Sequence, residues 1–135
     1  MIRPIILSVF LVAALVLAIQ ASAKQQMLAP IPAKVMQAKT VFVENQSGYD
    51  RARDEFADEL GKWNRLHIVY NKTGADLLAI LTVQNGYRTT QITFVDPATG
   101  DRIWTNSMAW SDRGAVRDLL GDLKQRIEKQ ERKLQ

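Results

Sequence analysis

Apolar residues recur at three- and four-residue spacing over two stretches of the chain, and alternate or cluster over five others. These two periods predict helices and strands respectively. The run TVFVEN from Thr40 is short, β-branched and aromatic, and it stops where Asn45, Gln46, Ser47 and Gly48 gather turn residues, as a strand does. Ser47 or Asp50 then caps a helix whose apolar positions Tyr49, Ala52, Phe56, Leu60 and Trp63 form one stripe. LHIVY, Leu66 to Tyr70, alternates and predicts a second strand. LLAILTV, Leu77 to Val83, is apolar on both parities, which fits a central strand covered on both faces, although so short a run is also compatible with a helix. Asn85-Gly86 is a hairpin signal, and TTQITFV and RIWTNSMAW supply two further strands. Ser111-Asp112 caps a last helix with the stripe Val116, Leu119, Leu120, Leu123 and Ile127.

The element order is therefore β-α-β-β-β-β-α. Each helix has a single apolar stripe, so the expected fold is two-layer α+β, with both helices on one face of a four- or five-stranded mixed sheet. The domain is expected over residues 40–130. Residues 24–39, with Pro30 and Pro32 and no sustained period, are expected to be an extended lead-in or linker, and 131–135 a C-terminal tail.

Residues 1–23 have a different character. Arg3 precedes an uncharged apolar run from Ile5 to Ile19 and the small triplet Ala21, Ser22, Ala23, the pattern of a secretory signal peptide cleaved after Ala23. A run of about fifteen residues falls short of the roughly 30 Å hydrocarbon core. Cleavage leads to a periplasmic or secreted protein; the alternative is an uncleaved segment acting as a membrane anchor. The chain has no cysteine, so disulfides, thiolate metal sites and a lipid-acceptor cysteine are excluded, and a packed core must supply stability.

The formal charge of +4 falls to +3 once Arg3 is removed with the leader. Lys124, Arg126, Lys129, Arg132 and Lys133 crowd the C-terminus with Glu128 and Glu131 among them, which reads as a solvated helix face; no nucleic-acid partner is expected. The only histidine, His67, lies in an alternating strand as a surface or rim residue, and without a second histidine or a cysteine the common metal sites and triads lack parts. The carboxylate pairs Asp54 with Asp58 and Glu55 with Glu59 lie on the polar side of the first helix among basic residues, as solvated ion pairs. The sequence thus predicts no enzyme, no metal and no cofactor.

The loop FVDPATGDRIW fails the pattern of a Ca²⁺ loop: counted from Asp96, the third, fifth and sixth positions hold Ala98, Gly100 and Asp101. Pro97 and Gly100 instead suit a tight turn. If Pro97 to Gly100 form a four-residue loop, counting outward puts Phe94 opposite Ile103, Thr93 opposite Trp104, Gln91 opposite Asn106 and Thr89 opposite Met108. One sheet face then carries Gln91, Thr93, Val95, Trp104, Asn106, Met108 and Trp110. Its mixture of aromatic, thioether and amide side chains makes Trp104, Met108, Trp110, Asn106, Thr93 and Gln91 the candidate binding residues. The competing assignment places the tryptophans in the core under the helices, because a one-residue slip exchanges the two faces.

KTVFVEN, GADLLAILTV and ITFVDPATGDRIWTNSM, with a closing helix, cover about Lys39 to Lys129 and resemble the bacterial envelope α/β domains of the TolB N-terminal and CsgG-like group and related periplasmic families. The resemblance implies a non-enzymatic envelope module that contacts other envelope proteins or amphiphiles. Many such proteins are lipoproteins, from which this cysteine-free chain departs.

Overall fold

In chain order the elements are α1 (Ala33–Gln37), β1 (Thr40–Asn45), α2 (Asp50–Trp63), β2 (His67–Ile68), β3 (Leu77–Gln84), β4 (Thr89–Val95), β5 (Arg102–Met108) and α3 (Ala115–Lys133). The computed structural model describes residues 29–84, 89–109 and 114–135. The signal segment, the Asn85-Gly86 turn, Trp110 and the Ser111-Asp112 cap lie outside the described residues. Residues 31–135 form one compact unit.

The five strands make one mixed sheet in the order β2-β1-β3-β4-β5. β1 is parallel to both β2 and β3, and β3-β4-β5 is an antiparallel meander. Alternation along the strands aims Val41, Val43, Leu77, Ala79, Leu81, Ile92 and Phe94 at one face. There they merge with Ala52, Phe56 and Leu60 of α2 and Val116, Leu119, Leu120, Leu123 and Ile127 of α3 into a single core. α2 and α3 pack together, with α3 over β4 and β5 and α2 over β1 and β2. This is the expected two-layer α+β arrangement, with five strands.

LLAILTV is a strand, buried on both parities at its start, where Leu77, Leu78 and Ala79 are all covered. β2 is shorter than LHIVY suggested. After Ile68 the chain must return across the start of β1 to begin β3, and Asn71 turns it by accepting the Thr73 N–H at 3.0 Å. α2 starts from Tyr49, which is the N-cap residue and exposed, so it does not extend the stripe. Neither Ser47 nor Asp50 is that cap; the Ser47 hydroxyl instead accepts the Tyr49 N–H at 3.1 Å. α2 stops at Asn64, whose left-handed backbone (φ 57°) lets its N–H reach the Leu60 carbonyl.

The expected linker is a correction. Ile31, Val35 and Ala38 are buried in the core, and residues 33–37 close one helical turn after Pro32, whose preset φ suits a helix start. Gln130 of α3 holds this segment as a strand partner would: its Oε1 accepts the Ile31 N–H at 2.8 Å and its Nε2 donates to the Ile31 carbonyl at 3.1 Å. Among the described residues the core thus reaches back to Ile31, and residues 24–28 of the expected lead-in lie outside them. α3 continues to Lys133, so most of the expected tail is helical.

Two carboxylates fix this end of the sheet. Asp76, in the turn before β3, accepts the N–H groups of Lys39 (2.9 Å) and Thr40 (3.1 Å), while its own N–H donates to Thr40 Oγ1 at 3.0 Å. This clasp sets the parallel register of β1 and β3 at their first residues. Asp96 pairs with Lys34 of α1 and accepts the Ala98 N–H at 3.0 Å. The Lys39 amide foremost holds the Asp76 carboxyl below its ordinary range; for Asp96 it is the Lys34 ammonium, with the Ala98 amide second. A carboxylate with a folded pKa below its unfolded value adds stability above about pH 4, which is lost as pH falls through the folded value. The denaturant midpoint should therefore fall on acidification below about pH 4, and Asp76→Asn should lower the midpoint at neutral pH and flatten this acid limb. An unchanged limb in Asp76→Asn would remove Asp76 as its source.

Candidate functional site

The Asp96–Asp101 loop is a turn. The Asp96 N–H donates to the Asp101 carbonyl at 2.9 Å, and the Gly100 N–H donates to the Asp96 carbonyl at 2.8 Å. Gly100 takes φ +77°, which a residue with a Cβ rarely adopts. Asp96 is committed to Lys34 and to this turn. His67 is exposed on β2, as expected of a surface residue. Among the described residues no group of three His, Asp or Glu is placed to hold a metal ion.

The turn pairs Val95 with Arg102, as counting predicts, and the count then fails by one residue. Phe94 lies opposite Trp104, Thr93 opposite Thr105, Ile92 opposite Asn106, Gln91 opposite Ser107 and Thr90 opposite Met108. Ile103 is the extra residue, a β-bulge at the start of β5. Its cause is a conflict between turn and core. The four-residue loop alone would bring Thr105 and Ser107 under the helices and expose Trp104 and Met108, forfeiting apolar burial at about 25 cal/mol per Å². One inserted residue keeps the turn and restores the burial.

The six candidate residues are consequently divided. Trp104, Asn106 and Met108 lie on the helix side, all half-buried; Trp104 and Met108 pack against the core. The Trp104 ring stacks on Phe94 at 5.2 Å, and Asn106 Nδ2 donates to Asp122 Oδ2 of α3 at 3.1 Å. Gln91 and Thr93 lie on the opposite face. There the hydroxyls of Thr93 and Thr105 meet at 2.9 Å, and Gln91 Nε2 donates to both, at 3.1 Å each. The single recognition face expected from counting does not form, and Trp110 lies outside the described residues.

What the sheet offers instead is an edge. β5 ends the sheet, seven residues long, and its only charge is Arg102; the opposite edge, β2, has two residues. Thr105 and Ser107 are exposed along β5, with the half-buried Trp104 and Met108 flanking them on the helix side. Beside this edge α3 presents Asp118, Asp122, Arg126, Lys129 and Lys133 at helical spacing, the flank on which Asn106 touches Asp122. Their spacing was visible in the sequence, where the C-terminal charges read only as a solvated face. A separate groove of about 480 Å³ lies at the start of α2, beside Tyr49, Asp50, Glu55 and Thr90. There the Glu55 carboxylate accepts the Gly114 N–H at 3.3 Å, joining the starts of the two long helices.

Trp104→Ala should destabilise the domain by about 2 kcal/mol, less than a fully buried ring because Trp104 is partly exposed. Deleting Ile103 should cost more, since it forces either the turn or the Phe94–Trp104 stack to break. Urea denaturation of the two variants checks the order; equal stability to the parent would contradict the bulge as the device that seats Trp104.

No protein-family model matches the chain, and no curated protein does. Solved structures to which the chain is similar include a PelC dodecamer from Paraburkholderia phytofirmans, at 17% identity and TM-score 0.37, over 67% of this chain and 84% of that one. Uncharacterized lipoprotein B from Nitrosomonas europaea matches at 7% identity and TM-score 0.38, over 78% and 86%. Lipoprotein GNA1162 from Neisseria meningitidis matches at 14% identity and TM-score 0.34, over 67% and 99%. At such scores no functional property passes from these proteins to this chain, and the resemblance to the TolB and CsgG domains is not carried by them.

Proposed function

We propose that this chain is an exported, non-enzymatic contact module that joins envelope assemblies by adding a strand at the edge of β5. The observation that carries this is the edge itself: seven residues with no strand beyond them among the described residues and a single charge, at Arg102, although the Ser107 N–H is held by Asn106 Oδ1 at 3.0 Å and α1 touches the strand. Such an edge is a template for another strand, and folded proteins usually blunt it with lysine, proline, a bulge or a cover; the bulge of β5 lies at its start, before Trp104. Affinity in this mode comes from backbone hydrogen bonds, with Trp104 and Met108 supplying apolar contact on one side.

The other features support a structural use of the polar groups. Asp76 and Asp96 are held ionised by bonds that join chain segments, and Glu55 ties two helices. Export rests on the leader sequence, and no helix among the described residues is long and apolar enough to cross a membrane.

Intact-mass measurement of the exported protein should give a chain beginning at Lys24; retention of residues 5–19 would point to the tethered alternative. A photo-crosslinker at Ser107, on the edge, should give a discrete adduct in the native compartment, and one at Lys72, in the exposed turn after β2, should give none. Equal adducts at both positions would overturn the assignment of contact to β5.

A further inference from the structure

We infer that the strand added to β5 is β5 of a second copy, related by a two-fold axis perpendicular to the sheet. The inference rests on the β5 edge being the contact surface. Two-fold pairing brings the strands together antiparallel, and it must tolerate every side chain meeting its own kind or its mirror position. β5 does over its regular part after the bulge: with the axis at Thr105, Trp104 meets Asn106 of the second copy and Thr105 meets its own counterpart. Its only charge, Arg102, lies before the bulge and outside this paired run, so no like charges oppose one another.

The helix layer imposes a second, independent condition. An axis perpendicular to the sheet keeps both helix layers on the same side. α3 packs over β4 and β5, so pairing two β5 strands about 4.8 Å apart brings the two α3 helices to roughly 10 Å, the distance of packed helices. They run antiparallel. The flank of α3 beside the edge is segregated by charge, with Asp118 and Asp122 in its first half and Arg126, Lys129 and Lys133 in its second. Antiparallel alignment therefore sets the acidic half of each helix against the basic half of the other. A parallel alignment would oppose like charges along the whole flank. Asp122 bonds Asn106 of β5, which places this flank beside the edge; within its own chain Asp122 also pairs with Arg126 and Asp118 with Arg117.

Sedimentation equilibrium of the exported protein should give twice the chain mass. The doubly substituted Asp118→Lys/Asp122→Lys protein makes the flank wholly basic, and Arg126→Asp/Lys129→Asp/Lys133→Asp makes it wholly acidic. Each alone should sediment as a monomer with an unchanged circular dichroism spectrum, and an equimolar mixture should recover the doubled mass. Because the chain has no cysteine, Thr105→Cys should form a disulfide-linked dimer on mild oxidation, while Lys72→Cys should not. A monomeric parent at ~100 µM, where a specific interface of ordinary affinity is saturated, would overturn the inference. So would dimers in both charge-swapped proteins, which would indicate another interface. If the parent is monomeric and Ser107 still crosslinks to a different protein, strand addition stands and the second copy falls; with no Ser107 adduct, both fall.

Discussion

Both faces of the sheet depend on one extra residue. Without Ile103 between Arg102 and Trp104, the Pro97–Gly100 turn and the hydrophobic core would demand opposite orientations of β5. The bulge satisfies both, and its effects run through the rest of the meander. It seats Trp104 on Phe94, places Asn106 beside Asp122, and turns Thr105 outward to meet Thr93 and Gln91. A wrong register here would not merely shift contacts; it would exchange an apolar row for a hydroxyl row.

The element order and the two-layer architecture were legible in the sequence because they follow from local periods. The stripes of Phe56 and Leu60, and of Leu119, Leu123 and Ile127, have one solution when set beside strands with alternating burial. The bulge was not legible by counting from the turn, because a turn fixes register only until another constraint intervenes. A signal existed all the same. Ile92 and Phe94 share one parity of β4, Trp104 and Met108 one parity of β5, and a four-residue loop cannot place both pairs on the same face. Comparing the apolar content of the two parities, and not loop length alone, would have required the insertion.

The lead-in shows a different limit. Ile31, Val35 and Ala38 have no recognisable period, since one helical turn between two extended residues is too short to display one. Their burial is decided by groups far along the chain, Gln130 on α3 and Asp96 after β4. Likewise the candidate face was a property of long-range pairing, whereas the charge segregation along α3 could be read directly.

The reciprocal amide bonds between Ile31 and Gln130 give the domain a particular mechanical character. Tension applied through the backbone at residue 31 first loads two hydrogen bonds, the Lys34–Asp96 pair and the buried Val35 side chain together, across elements distant in sequence. The segment is thus held by two elements at once, so loss of either set of contacts leaves the other. The start of the domain is thus built as an anchorage, able to transmit a pull into α3 and the β4–β5 turn without first unravelling.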